Sequence, residues 1–339
     1  MLKVACLGAG YFARFHHDAW SRIEAVDLVA VADAQIERAA ASGAPAFASL
    51  EALLDAVAPD ILDIVTPPPS HAAAVDLALE AGVPLVICQK PFCTSPDEAA
   101  AVTARAEARG VRLVIHENFR FQPWYRRMRD ALEAGDIGDP MQMTFRLRTG
   151  DGQGPQAYLD RQPYFQKMPR FLIRETGVHW IDTFRFMLGP PSSVIADLRQ
   201  LNPAIAGEDA GYLLMEHEGG RRALFDGNRL LDHAAENLRL TLGEALLEGT
   251  GGAMTLTGDG EVRLRRFGTG TARTILKAQE WPGFAGDCVM ALNRHVVAHL
   301  IDGAPLENEA RDYAVVARTE EAAYRSHELG RRERIASAD

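Results

Sequence analysis

Cysteine is scarce in this chain of 339 residues, which contains only Cys6, Cys88, Cys93 and Cys288. No two of them form a Cys-x-x-Cys pair, so the spacing favours neither a zinc site nor a thioredoxin-like redox pair. We expect no metal and no disulfide, and four reduced thiols in the core of a cytoplasmic protein.

Long apolar runs are also missing. No stretch reaches the roughly 18 residues that a membrane helix needs, and the amino terminus lacks the apolar segment and cleavage site of a signal peptide. Basic residues are too few for a nucleic-acid surface, because 36 Lys and Arg stand against 46 Asp and Glu, for a net charge of −10. We therefore expect neither a membrane nor a nucleic acid as a partner.

The chain is long enough for two domains of about 150 residues each. Up to residue 117, short apolar runs alternate with helical patterns. The predicted strands are Leu2–Leu7, Val26–Ala32, Ile61–Val65, Leu85–Cys88 and Val111–Ile115, and the predicted helices are Tyr11–Ile23, Ile36–Ala41, His71–Ala81 and 96–109. This alternation predicts an α/β fold with a doubly wound parallel sheet over residues 1–118.

The pattern changes after residue 118 and predicts an α+β domain over 119–339 with a mostly antiparallel sheet. The predicted strands are Met141–Thr149, Ser193–Leu201, Gly211–His217, Arg221–Asn228, Leu238–Leu242 and Glu261–Phe267, and the predicted helices are Pro123–Ala134 and about 176–188, 285–302 and 310–328. Loop 150–169, rich in Gly, Pro and Gln, is long enough to suggest a functional role.

A glycine motif, Gly8-Ala9-Gly10-Tyr11-Phe12-Ala13, lies between the first strand and the first helix with the spacing G-x-G-x-x-A. Gly8 permits a tight turn, Gly10 lets a pyrophosphate approach the backbone, and Ala13 lets helix and strand pack closely. Asp33, at the end of the second strand, is placed to bind a ribose 2′-hydroxyl and to repel the 2′-phosphate of NADP, so we expect NAD as the cofactor. Asp33 is otherwise an ordinary turn residue, and we interpret Arg38 as a solvated helix residue.

Lys90 follows a predicted strand of the parallel sheet, within Cys88-Gln89-Lys90-Pro91. Ligands bind at the carboxyl edge of such sheets, and a lysine with a lowered pKa can relay protons or bind a substrate hydroxyl there. Taken alone, such a lysine is more often an ordinary surface residue.

A second polar group consists of Glu175, His179 and Asp182, which share one face if the segment is an α-helix. A neutral histidine beside a carboxylate suits a general base that takes a proton from a hydroxyl. The pattern alone is also typical of a solvated polar stripe.

Several motifs match one family pattern. They are the G-x-G-x-x-A opening, Thr66–His71 for T-P-x-x-x-H, Gln89-Lys90-Pro91 for E-K-P, Glu175–His179 for D-x-G-x-H with Asp182 after it, and Tyr324–Gly330 in the closing helix. On these motifs the chain resembles the glucose–fructose oxidoreductase / inositol dehydrogenase / MocA family from its first residue nearly to its last.

The resemblance implies a Rossmann domain followed by a domain with an open, mostly antiparallel sheet, and a dimer or tetramer. It implies His179 as the acid/base at the substrate, with Lys90 assisting. The implied cofactor contacts are Tyr11, Phe12, Thr66, His71, Gln89, Lys90 and Asn118, together with Arg161 and Gln162 on loop 150–169.

Two positions depart from the family pattern. Gln89 replaces a glutamate and removes a negative charge beside Lys90, so the pKa of that lysine falls more easily. Glu175 replaces an aspartate and is one methylene longer, so its carboxylate either orients His179 differently or contacts a substrate hydroxyl.

A narrower resemblance, carried by His116–Arg126 and Cys88–Phe92, is to the D-apiose dehydrogenase branch, which oxidises a branched pentose at its anomeric carbon to a lactone. Polar and stacking groups for a sugar are then expected from Lys90, Arg120, Trp124, Tyr164, Arg170, Arg174, Glu175 and His179. Trp124 can instead pack on its own helix.

The leading hypothesis is an NAD-dependent dehydrogenase of a sugar such as D-apiose. Within the same family, a cyclitol dehydrogenase or a keto-sugar reductase is the alternative. Outside it, the alternatives are a glycosidase that uses tightly bound NAD and a sensor that binds NAD without turnover.

Overall fold

The computed structural model describes residues 1–336 and forms two compact units. The first contains Met1–Asn118 and Val289–Ala317, and the second contains Phe119–Cys288 and the chain from Arg318 onward. The chain first leaves the first unit at residue 118, the predicted boundary. The last three residues of the predicted domain 119–339 lie outside the described residues.

The first unit is built on a parallel sheet with helices between its strands. The strands are β1 (Leu2–Leu7), β2 (Val26–Ala32), β3 (Ala46–Phe47), β4 (Ile61–Ile64), β5 (Leu85–Gln89) and β6 (Arg112–His116). The helices are α1 (Ala13–Ser21), α2 (Ile36–Ala40), α3 (Leu50–Ala56), α4 (His71–Glu80) and α5 (Pro96–Ala108). The strand order β3-β2-β1-β4-β5-β6 confirms the predicted doubly wound sheet. The sequence analysis does not predict β3 or α3, and β3 has only two residues, which is too short to show a period.

The second unit is built on a mixed, mostly antiparallel sheet. Its helices are α6 (Pro123–Glu133) and α7 (Val178–Leu188). Its strands are β7 (Pro140–Leu147), β8 (Pro191–Arg199), β9 (Ala210–His217), β10 (Arg222–Asn228), β11 (Gly243–Gly249), β12 (Gly252–Leu256), β13 (Val262–Arg266), β14 (Arg273–Leu276) and β15 (Glu333–Arg334). The order is β14-β13-β12-β11-β7-β10-β9-β8-β15, and β7 pairs with β10 in parallel. Trp180 of α7 anchors that helix on the sheet by stacking on Phe145 of β7 at 4.0 Å between ring centroids.

The predicted strand Leu238–Leu242 is wrong, because these residues form turns and the strand begins at Gly243. β11 reads Gly-Glu-Ala-Leu-Leu-Glu-Gly, and its Glu, Ala and Leu residues favour helix when taken locally. Its pairing with β7 and β12 decides the outcome. A side chain at Gly243, where φ is +153°, would collide with the backbone oxygen of Arg146.

The chain returns to the first unit within α8 (Phe284–Asp302) and leaves it again within α9 (Ala310–Leu329). The backbone N of Ile115 donates to the backbone oxygen of Asn308 at 2.8 Å, and the Asn308 side chain donates to the backbone oxygen of Glu117 at 3.1 Å. These contacts tie the returning segment to β6. The structure therefore differs from the continuous second domain that the sequence predicts.

Candidate active site

The turn after β1 is shaped by Gly8, whose φ of +109° lies in the region that favours glycine. A side chain there would collide with the backbone oxygen of Val65, just after β4. Asp33, just after β2, accepts hydrogen bonds from the backbone N of Ala9 and of Gln35, each at 2.8 Å. The glycine turn therefore lies against the ends of β2 and β4, the strands on either side of β1.

The same turn leaves room for a dinucleotide. Gly10 is exposed, and no described atom lies within 4 Å of the place where its Cβ would stand. The first turn of α1, Ala13–His16, contains no Asp or Glu that would repel a phosphate. The Asp33 carboxylate has more lone pairs than its two backbone donors use, so it can also accept from a ribose hydroxyl. These residues fit NAD.

His71 and Thr66 stabilise the turn after β4. His71 Nε2 donates to the backbone oxygen of Thr66 at 2.7 Å, and the backbone N of Cys93 donates to His71 Nδ1 at 3.4 Å. Burial lowers the pKa of His71, which favours the neutral ring that these two contacts require. Because its ring is buried, we interpret His71 as an internal brace and leave it out of the proposed cofactor contacts.

Lys90 is partly exposed at the end of β5, and Gln89 before it is buried. The Gln89 side-chain oxygen accepts from the backbone N of Lys90 at 3.2 Å, and its nitrogen lies 2.8 Å from His16 Nε2. The side chain of Gln89 is thus turned into the interior of the first unit. We therefore do not propose Gln89 as a cofactor contact.

Three other predicted cofactor contacts of the first unit are Tyr11 and Phe12, in the glycine motif, and Asn118, the last residue of the unit's first segment. Tyr11 and Phe12 are partly exposed, and the Arg14 guanidinium lies 4.2 Å from the ring centroid of Tyr11. Asn118 is buried. The cofactor roles of these residues stay predictions.

Glu175 does not belong to α7. It lies in a π-helical turn, Leu172–Gly177, that runs directly into α7. The expectation that Glu175, His179 and Asp182 share one face of a single α-helix is therefore wrong, because a π-turn inserts an extra residue into the helical register. Such turns occur frequently at functional sites.

The carboxylate of Glu208 holds the start of this π-helical turn. It accepts from the backbone N of Phe171 at 3.2 Å and of Ile173 at 3.1 Å, and the Tyr324 hydroxyl donates to it at 2.6 Å. Tyr324 belongs to the motif that carries the family resemblance in the closing helix. Its contact with Glu208 gives that motif a structural role in placing Glu175.

The ring of His179 is buried and stacked on Phe119, with 3.8 Å between the ring centroids and 5° between the planes. Phe119 therefore fixes the plane of the imidazole. Asp182 is engaged elsewhere, because Arg120 binds its two carboxylate oxygens at 2.7 and 2.8 Å and Arg185 binds one of them at 2.8 Å. Burial would raise the pKa of Asp182, but the two guanidinium groups hold it below its ordinary value.

Some predicted substrate residues have structural partners. Trp124 is fully buried and donates to the side-chain oxygen of Gln122 at 2.8 Å. Arg170 donates to Glu321 at 2.5 Å, and Arg120 is paired with Asp182 as described. Arg174, similarly, donates to Glu320 at 2.8 Å. We therefore leave these four residues out of the proposed substrate site.

Loop 150–169 is held by one buried cation, Arg229, which follows β10. Its guanidinium donates to the Tyr158 hydroxyl at 2.7 Å, to the Thr176 hydroxyl at 2.6 Å and to the Asp151 carboxylate at 3.1 Å. Arg161 also donates to Asp151 at 3.1 Å. Because Thr176 directly follows Glu175, Arg229 links the loop to the π-helical turn.

The loop also has an apolar core, in which Tyr158 and Phe165 pack against Phe171 with ring centroids 5.4 and 5.0 Å away from it. Outside that core, Gln162 donates to the Tyr164 hydroxyl at 3.2 Å, and Tyr164 is 53% exposed. Gln162 and Tyr164 thus remain available for the predicted cofactor and substrate contacts.

Sequence patterns miss the residues that support the two sites from inside. In the first unit these are His16, Asp63 and His116. The sequence does contain one signal for them, because Asp63 interrupts the apolar strand β4. An ionisable residue is rarely buried without a partner, so Asp63 indicates that polar partners lie nearby. In the second unit they are Phe119 and Arg229, whose contacts join segments far apart in the chain.

Comparison with known proteins gives matches over both halves of the chain. Residues 2–117 match the family described as oxidoreductase family, NAD-binding Rossmann fold, and residues 125–252 match the GFO/IDH/MocA C-terminal domain. A D-apiose dehydrogenase from Paraburkholderia graminis is 34% identical over 97% of this chain and 88% of its own. One from Rhizobium rhizogenes is 30% identical over 97% of this chain and 96% of its own.

The chain belongs to the GFO/IDH/MocA oxidoreductase family. A solved structure of an oxidoreductase from Agrobacterium radiobacter, in complex with NAD+, L-tartaric acid and magnesium, is 28% identical with a TM-score of 0.90 and covers 98% of both chains. Membership confirms the predicted fold class, NAD as the cofactor and an NAD-dependent dehydrogenase.

In the described part of the chain, residues 1–336, no group of three or more His, Cys, Asp and Glu side chains is placed to hold a metal ion. None of the helices in this range is both long and apolar enough to cross a membrane.

Proposed function

We propose that the protein oxidises an aldopentose such as D-apiose at its anomeric carbon and yields the lactone. The observation that carries the catalytic part is the buried imidazole of His179, held in one plane by Phe119. The two D-apiose dehydrogenases that match nearly the whole chain support the choice of sugar.

His179 acts as the general base and takes the proton of the substrate hydroxyl at a ring nitrogen. Bound NAD supplies the hydride acceptor. Lys90 assists by donating a hydrogen bond to the same hydroxyl oxygen, a role that rests on family membership. Such acid–base help is typically worth about 10²–10⁴ in rate.

Glu175 binds a substrate hydroxyl in this proposal, rather than orienting His179. The π-helical turn moves Glu175 out of the α7 register, and its side chain is partly exposed. Tyr164 of loop 150–169 adds a second polar contact to the sugar, and Arg161 and Gln162 contact the cofactor.

The test is NADH formation by the purified protein with NAD and a panel of aldoses and cyclitols, with product analysis. We expect D-apiose to give NADH and a lactone. NADH from a cyclitol alone would replace the sugar assignment, and release of a free sugar from a glycoside without net NADH would favour the glycosidase. NAD that stays bound without turnover on any compound, beside a working control enzyme, would favour the sensor.

We also propose that a second copy of the chain covers the outer face of the second sheet, as in the dimer or tetramer that family membership favours. A row of side chains crosses five neighbouring strands of this face, from β8 to β11, and consists of Ile195, Leu214, Leu224, Thr144 and Leu246, all apolar except Thr144. Leu224→Asp should convert the oligomer into a monomer in light scattering. A wild-type protein that is already monomeric would contradict this proposal.

A further inference from the structure

Gln89 lies in a buried polar network beneath Lys90, within the first unit. Its side-chain oxygen accepts from the backbone N of Lys90 at 3.2 Å. Its nitrogen lies 2.8 Å from His16 Nε2 and 3.3 Å from His116 Nδ1. Gln89, His16 and His116 are all buried.

The Lys90 backbone fixes which way the Gln89 amide faces. A backbone N–H only donates, so the atom opposite it is the amide oxygen, and the amide nitrogen faces the two histidines. An amide NH₂ also only donates. His16 Nε2 and His116 Nδ1 must therefore both carry lone pairs, which excludes the doubly protonated form of either ring.

The proton of His16 then lies on Nδ1, where it is donated to the Asp63 carboxylate at 2.7 Å. Trp20 donates to the same carboxylate at 2.7 Å. Burial would raise the pKa of Asp63, but His16 holds it below its ordinary value. Burial lowers the pKa of His116, which favours its neutral ring. The network thus contains two neutral imidazoles and one carboxylate.

Four further titratable groups close to the network are also neutral near pH 7. Burial raises the pKa of the thiols of Cys6 on β1 and Cys88 on β5, and it raises that of Cys93, after β5, to about 12. Burial lowers the pKa of His17 on α1. Asn293 on α8 is buried but does not ionise.

We propose that Gln89 is a positioning residue for Lys90, and that its uncharged amide holds His16 and His116 in fixed neutral tautomers, so that Asp63 carries the single charge of the network. The link to Lys90 chemistry rests on the proposed function. The tautomers follow from the contacts of the first unit alone.

A glutamate at position 89 would reverse this arrangement, because a carboxylate can only accept. His16 already donates Nδ1–H to Asp63, so it would have to bind a second proton to donate from Nε2. It would become an imidazolium between two carboxylates, and the region under Lys90 would gain two further charges.

The test combines nitrogen NMR of the histidine rings with the pH profile of kcat/KM in the full-length protein. In the wild type we expect neutral His16 with its proton on Nδ1. In Gln89→Glu we expect a doubly protonated His16 near pH 7, a profile displaced by about one pH unit and an about tenfold lower kcat/KM at neutral pH. Gln89→Glu combined with Asp63→Asn restores a single carboxylate and should return a neutral His16, now with its proton on Nε2.

Gln122→Glu is the matched control, since Gln122 is equally buried but lies in the second unit. It should lower stability and leave the pH profile unchanged. A neutral His16 in Gln89→Glu, or a kcat/KM that falls equally at every pH, would overturn the proposal. If Gln89→Glu does not fold, the wild-type spectrum decides, because a charged His16 or a proton on its Nε2 contradicts the assignment. If no sugar is oxidised, the proposed function fails, while the NMR result still decides for or against the network.

Discussion

The two units support their functional residues by different means. In the first, backbone turns at the ends of parallel strands form the cofactor side, and Gly8 and Gly10 matter because of space and conformation. In the second, buried side-chain contacts hold the functional residues in place. Arg229 holds loop 150–169, and Phe119 stacks on His179. A backbone-built site leaves a short motif in the sequence, whereas a site built from distant side chains does not.

The largest effect is expected at His179. His179→Ala should lower kcat by about 10²–10⁴, because the general base is lost. NAD affinity, measured by titration, should stay within about twofold, because the glycine turn that we expect to bind the pyrophosphate belongs to the other unit. An equal loss of NAD affinity would contradict the division of labour between the units.

Arg229→Met should reduce the free energy of unfolding by about 3–5 kcal/mol, since it leaves the Asp151 carboxylate without this buried partner. Tyr158→Phe is the matched control, because it removes the two hydrogen bonds of the Tyr158 hydroxyl, from Arg229 and to Asp151, keeps the Arg229 charge and should cost about 2 kcal/mol. Denaturant unfolding measures both. Equal losses in the two variants would show that the charge of Arg229 does not hold the loop.

Gly8→Ala and Gly10→Ala separate folding from cofactor binding in the first unit. A side chain at Gly8 requires a positive φ and collides with Val65, so thermal stability and NAD affinity should both fall, with a strain of about 1–3 kcal/mol. Gly10→Ala should keep the melting temperature and lose NAD affinity alone. A Gly10→Ala protein that binds NAD normally would argue against a pyrophosphate at this turn.

Asp33→Ser should reduce the preference for NAD over NADP about tenfold, because one repulsive charge near the 2′-phosphate is removed. The ratio of kcat/KM values for the two cofactors measures this. Arg38→Ala in the wild-type background is the control and should leave the ratio unchanged. A ratio that depends on Arg38 would give that residue the phosphate role that the sequence does not favour.

The sequence predicts most of the first unit and less of the second. Strands β1, β2, β4, β5 and β6 follow from local alternation, whereas β11 is composed of helix-favouring residues and forms through its neighbours. The π-helical turn under Glu175 depends on Glu208, 33 residues away in the chain, so no local pattern predicts it. Motifs locate Lys90 and His179, but not the burial that ties Arg120 and Trp124 to structural partners.

The most direct test of the proposed reaction uses D-apiose deuterated at its anomeric carbon, with the wild-type protein and NAD. We expect that the NADH formed carries the deuterium, that the product is the lactone, and that His179→Ala forms neither at a comparable rate. Unlabelled NADH, or no NADH beside a working control enzyme, would contradict the proposed reaction.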